Sequence, residues 1–218
     1  MAKKRVAVLI SGRGSNMTAL IEAAKAPDYP AEIALVISNR PDAIGLTYAR
    51  ESGITTALID HLPFGNDREA FERALDAELT AQRIDLVCLA GFMRVLSSNF
   101  VESWKGRLIN IHPSLLPSFK GLNVHRHILE SGVRISGCTV HFVVPELDSG
   151  PIIAQAAVPV LPEDTEQTLA ARTLAAEHKL YPLALLLLAG GRVRLDETRA
   201  RFAEGDGAEG ELFSPRLR

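Results

Sequence analysis

Four short apolar runs rich in branched residues set the frame: Arg5 to Ile10, Glu32 to Ile37, Thr55 to Ile59 and Asp85 to Ala90. Segments of helical period lie between and after them, beginning after Ser15, Ala43 and Asp67. A strand that is apolar on every side must be covered on both faces, so this alternation specifies a parallel sheet between two layers of helix. The expected fold class is α/β, a mostly parallel, Rossmann-like sheet that binds its ligands beyond the carboxyl ends of its strands. Further strands are expected at Arg107 to Ile111, Ser136 to Val144 and Pro151 to Val160, with a long loop and a short helix from about Val124 between the first two. Asp164 with Gln167 resembles a capping box that starts a last helix through Ala176. Pro182 should break or kink that helix, and Gly190-Gly191 should end its continuation. Residues 1–195 read as one domain, and 196–218 as a polar, mobile tail.

Composition removes several classes of function. A net charge of −2 gives no general attraction to nucleic acid, so any anion must be gripped locally. The run "LALLLLA" after Pro182 is far too short to span a bilayer. The basic start "MAKKRVAVLI" is interrupted at Ser11-Gly12-Arg13 before a signal-peptide core can develop, which predicts a cytoplasmic protein. Cys88 and Cys138 both fall in apolar strand-like segments and read as buried free thiols.

The turn "SGRGSN", Ser11 to Asn16, joins the first strand to the first helix. Its glycines permit a tight turn and close backbone approach, and the helix amides beyond it suit an anion such as phosphate. A plain turn without ligand fits the same residues. A dinucleotide fingerprint would need a third glycine at Met17 and an acidic residue near Ser38-Asn39, so NAD is disfavoured. Arg40 keeps an NADP oxidoreductase open as a rival, and a non-catalytic phosphate-binding module is another.

Asn110 and His112 stand two apart on the fifth strand, so their side chains share a face. An amide donor and an imidazole together suit an oxyanion that must be held and protonated, and Asp148 in a following turn could orient and charge the imidazole. The same residues also fit a strand-end cap, a backbone-bonded histidine and a turn aspartate. His125 and His127 do not make a metal pair: at i and i+2 on a helix they point apart, with no ligand cluster nearby, and they read as a solvated helix start.

"SGRGSN", "AGFMRVLS", "NIHPSLLP" and "HFVVPELDSGPII", in that order, resemble the folate-dependent formyltransferases over roughly residues 5 to 195. The resemblance implies formyl transfer from 10-formyltetrahydrofolate as co-substrate to the amine of glycinamide ribonucleotide, without a metal. Relatives that act on methionyl-tRNA carry a further C-terminal domain, and the hydrolases an N-terminal regulatory one, which this length does not suggest. It further implies that Asn110, His112 and Asp148 are catalytic. Gly14, Ser15, Asn16 and Glu177 would bind the ribonucleotide, and Arg68, Met93, Arg94, Val95, Leu96 and Asn110 the folate. Small molecules would be the only ligands, with no nucleic acid or membrane partner, on a monomer or homodimer. Two positions depart from the family pattern: Arg13 stands where an uncharged residue is common, and Pro145 where the turn is often acidic.

Overall fold

The computed structural model describes residues 2–203. Seven strands form one sheet in the order β3-β2-β1-β4-β5-β6-β7. Within it β1 (Lys4–Ile10), β2 (Ala31–Ser38), β3 (Thr55–Leu58), β4 (Leu86–Leu89) and β5 (Leu108–His112) pair in parallel. The pairings of β5 with β6 (Ile135–Phe142) and of β6 with β7 (Ile152–Pro159) are antiparallel. The chain builds outward from β1 to β3 and then returns to lay β4 on the other side of β1. This reversal opens a crevice beyond the ends of β1 and β4, where such sheets take their ligands.

Burial on both faces explains the unbroken apolar strands. Along β1, Val6, Val8 and Ile10 belong to the core that includes residues of α1 (Ser15–Ala24) and α6 (Glu166–Ala189). Ala7 and Leu9 belong to the opposite core with α3 (Arg68–Ala81) and α4 (Ser98–Ser103). All five are fully buried, and each large one contributes about 1.5–3 kcal/mol relative to exposure. α2 (Gly45–Glu51) follows β2, and α5 (Val124–Ser131) follows the long loop. Among the described residues no helix is long and apolar enough to cross a membrane.

Three expectations need correction, and one helix was not foreseen. Pro182 lies inside α6 without ending it. The residues around it, Tyr181, Ala184 and Leu185, are fully buried, and the Tyr181 hydroxyl reaches the Leu89 and Ile109 carbonyls at 3.0 and 3.2 Å. Burial on that scale outweighs the roughly 3 kcal/mol that proline costs a helix interior. The cap of α6 is Thr165 with Thr168, each side chain accepting the other's backbone N–H, not Asp164 with Gln167; Asp164 instead holds Arg172 at 2.6 Å. The short helix α4, unmarked by any periodic run, is started by the Ser97 side chain accepting the Phe100 N–H. The expected tail boundary at 196 falls inside a hairpin of β8 (Val193–Asp196) and β9 (Arg199–Phe202). Its turn carries Glu197 at φ +53°, with no glycine to announce it. The remainder of the expected tail, 204–218, lies outside the described residues.

Candidate active site

The antiparallel pairing of β5 and β6 assembles the centre. In that register Asn110 faces His141 and His112 faces Thr139. Side chains paired across strands stand on one face, so the Asn110-x-His112 pair acquires His141 as a third polar neighbour. At His141 the register with β7 shifts, passing from Val140 opposite Ala154 to His141 opposite Ile152. Such a bulge re-aims the side chains beside it.

The turn after β6 then brings Asp148 back over His112. Asp148 has φ +48°, a left-handed conformation that aspartate tolerates better than most residues. Its Oδ2 lies 3.4 Å from His112 Nδ1, and its Oδ1 3.9 Å from His141 Nε2. Oδ2 also accepts the Gly121 N–H at 2.9 Å. The three side chains are only 3–8% exposed, so electrostatic interactions among them act with little screening from water.

Proton positions follow from the partners. His141 Nδ1 donates to the Phe142 carbonyl at 2.9 Å, which leaves Nε2 to accept from the Asn110 amide at 3.3 Å. Burial pushes the His141 imidazole below its ordinary value, more strongly than Asp148 raises it, in keeping with this neutral form. One N–H of Asn110 is thereby occupied and the other remains for a ligand. His112 Nε2 donates to the Phe119 carbonyl at 2.8 Å while Nδ1 faces Asp148, so both ring nitrogens meet acceptors.

These groups line a cleft of about 640 Å³ together with Met93, Arg94, Val95 and Leu96 from the loop after β4. Arg94 lies over the Phe71 ring, 5.7 Å from its centroid. His125 and Glu166 also line the cleft. His125, expected to be solvated, is half-buried: its Nδ1 is enclosed without a partner, and burial lowers the imidazole, opposed by Glu166. Arg68 is not among the lining residues; it stands exposed at the first position of α3.

Gly14, Ser15 and Asn16 lie together at the start of α1 outside that lining. Gly14 is the residue before the helix, at φ +72°. A Cβ there would meet the Met17 side chain at 3.2 Å and Gly45 Cα at 3.4 Å. Asn16 Nδ2 donates to Glu177 Oε2 at 2.7 Å across 161 residues of sequence, so the structure joins two of the expected ribonucleotide contacts. Burial raises the Glu177 carboxyl, with Asn16 opposing.

Sequence reasoning missed His141 and the position of His125. His141 had a readable signal, a histidine opening the same "HFVVPELD" segment that carries Asp148. Its role depends on strand register, which that segment does not state.

Known proteins resemble the chain in sequence and in fold. The formyl transferase family model matches residues 4–185. The human trifunctional purine biosynthetic protein adenosine-3 is 53% identical over 195 residues, 89% of this chain but 19% of that protein. The chain thus spans about a fifth of that relative's length. Phosphoribosylglycinamide formyltransferase of Escherichia coli (strain K12) is 47% identical over 195 residues, covering 89% of this chain and 92% of its own. The crystal structure of glycinamide ribonucleotide transformylase 1 from Symbiobacterium toebii superposes with a TM-score of 0.89 at 46% identity, covering 93% of this chain and 95% of that one. From the match to most of its length and the shared architecture, the chain belongs to the formyl transferase family.

Proposed function

We propose that the protein transfers the formyl group of 10-formyltetrahydrofolate to the amine of N1-(5-phospho-D-ribosyl)glycinamide, giving formylglycinamide ribonucleotide and tetrahydrofolate in purine synthesis. The observation that carries this reading is the cluster of Asn110, His112 and Asp148 in one cleft, with His112 Nδ1 3.4 Å from the aspartate. It fits relatives named for the same reaction.

The chemistry asks for three things. Attack of the amine on the formyl carbon forms a C–N bond and places negative charge on the formyl oxygen. The free N–H of Asn110 is a donor for that oxygen, and His112 Nε2 becomes a second once the Phe119 carbonyl that it holds at 2.8 Å gives way to substrate, each worth up to about 3 kcal/mol in a desolvated site. The new ammonium loses a proton to Asp148, directly or through water, and N10 of the folate takes up a proton as its bond to carbon breaks. Gly14, Ser15 and Asn16 hold the phosphate, and Glu177 the glycinamide end. Met93 to Leu96 border the folate, with Arg68 beyond the cleft toward its acidic tail. The working unit would include the β8–β9 hairpin as well as the sheet, cytoplasmic and monomeric or dimeric, needing no metal. Arg40, which an NADP reading requires, is already paired with Asp42 at 3.0 Å.

Purified protein given both substrates should produce formylglycinamide ribonucleotide and tetrahydrofolate in equal amounts, followed by chromatography of both. Reduction of a substrate with consumption of NADPH, or ligand binding without turnover, would refute the proposal.

Two expectations refine the substrate sites. Gly14→Ala should cost about 1–2 kcal/mol of stability, because a Cβ is strained at this φ. In the folded fraction it should weaken ribonucleotide binding and leave tetrahydrofolate binding intact; calorimetry with equal ribonucleotide affinity in both proteins would count against the phosphate assignment. The long loop 114–123 is a candidate lid over the cleft, and it divides in two. Its first half is anchored: Thr139 Oγ1 donates to the Ser114 carbonyl at 2.7 Å and accepts the Leu116 N–H at 3.0 Å. Ligand binding should therefore change hydrogen exchange at 119–123, where the Phe119 carbonyl and Gly121 amide occupy His112 and Asp148, and leave 114–116 protected throughout. Uniform exchange across both halves would remove the lid.

A further inference from the structure

A buried hydrogen-bonded path crosses the sheet where its strand order reverses, and none of the chemistry above uses it. Ser11 follows β1 and Asn39 follows β2, and they are 6% and 2% exposed. The Ser11 N–H donates to the Gly91 carbonyl at 3.2 Å, just beyond β4. Its hydroxyl oxygen accepts the Met93 N–H at 2.7 Å. The backbone amide can only donate, so the hydroxyl's own proton is free for Asn39 Oδ1, 2.6 Å away. The Asn39 backbone carbonyl accepts from His61 Nδ1 at 2.8 Å, which fixes the residue that carries that side chain.

At its near end the loop that this path holds has the half-buried Phe92 packed against the core, and beyond it little that packing holds. Met93 and Val95 are 67% and 60% exposed, so packing does not fix them. Buried Leu96 and the stacking of Arg94 on Phe71 secure the far half. The near half is tied at both Gly91 and Met93 to Ser11, the first residue of the turn assigned to the ribonucleotide.

We propose that Ser11 and Asn39 are positioning residues that hold the 91–96 wall of the formyl-donor cleft in register with the 11–16 turn, so that donor and acceptor meet at a fixed distance. The proposal rests on the assignment of the two substrates made above. Neither side chain touches the reacting atoms. Each acts through the Met93 amide: without the Ser11 hydroxyl that amide is left unpaired, and without Asn39 the hydroxyl loses the acceptor that orients it.

The test is steady-state kinetics on Ser11→Ala, Asn39→Ala, the double variant and Ser11→Thr. Ser11→Ala should raise the KM for 10-formyltetrahydrofolate roughly tenfold and that for the ribonucleotide by less than about twofold. Asn39→Ala should do the same, and the double variant should be no worse than either, because the two act on one path. Ser11→Thr, which restores the hydroxyl, should return the folate KM to within about threefold of the parent. Equal rises in both KM values, additive single effects, or a threonine variant as impaired as alanine would overturn the proposal. If Ser11→Ala does not fold, Asn39→Ala carries the same prediction. A parent protein without formyl transfer would refute the assigned activity; calorimetry with tetrahydrofolate then decides this inference separately, through the same tenfold weakening or its absence.

Discussion

Asp148→Asn should lower kcat by about 10²- to 10⁴-fold while changing the KM of either substrate little, the pattern of a lost proton-transfer step. The substitution separates charge from shape. Asparagine tolerates the left-handed backbone that Asp148 adopts at φ +48°, and its remaining oxygen can still accept the Gly121 N–H. What disappears is the negative charge 3.4 Å from His112 Nδ1. Without it, His112 loses the carboxylate beside its Nδ1, the group assigned both to stabilise an imidazolium there and to accept the proton shed by the attacking amine. His141 cannot replace it, because burial keeps that ring below its ordinary value and its Nε2 is engaged by Asn110. A folded variant with near-parental kcat would reduce Asp148 to a turn residue and leave Asn110 and His112 to act alone.

Gly150→Ala should be among the most damaging single-methyl additions in the protein. A Cβ at Gly150 would lie 1.7 Å from the Phe142 carbonyl oxygen and 3.3 Å from His141 Nδ1. The obstacle is backbone at the end of β6, where the Phe142 N–H also bonds the Pro151 carbonyl at 2.9 Å, so no side chain can rotate away. Relief requires parting the turn that carries Asp148 from the strand that carries His141. We expect a loss of more than about 3 kcal/mol in urea unfolding, and loss of turnover in whatever still folds. Gly12→Ala provides the comparison, since a Cβ there meets nothing within 4 Å, and its unfolding free energy should stay within about 0.5 kcal/mol of the parent. Equal midpoints for Gly150→Ala and the parent would show that the turn yields easily.

The parts of this fold that could be read in advance are those that leave a local pattern. Apolar runs located β1 to β7 to within two residues at either end; in the central strands β1 and β4 burial leaves little room for a polar interruption, whereas β3 and β7 stand partly exposed at the sheet edges. The two-residue spacing of Asn110 and His112 was likewise sufficient to place them on one face. Where pairing across distant segments decides the outcome, the sequence was silent. His141 enters the centre through its register opposite Asn110, and His125 through the packing of α5 beside the cleft. Pro182 carried a true local signal that tertiary burial of its neighbours overrode. The β8–β9 hairpin had none, since its strands are four residues each and charged, and its turn lacks glycine. Glu177 reaches Asn16 only because α6 crosses α1, a meeting no motif announces.

The two cysteines, packed into the sheet on β4 and β6, bear on how the cleft can be watched. Burial pushes both thiols up to about 12, so near neutral pH only on the order of one in 10⁵ is present as the reactive thiolate. The native chain is therefore almost silent toward maleimides. A single cysteine introduced at Leu122, which is 74% exposed on the rim of the cleft, would take a fluorescent label selectively without first removing the native pair. Opening and closing of the rim over bound substrate then becomes an optical signal, recorded on an otherwise unaltered protein.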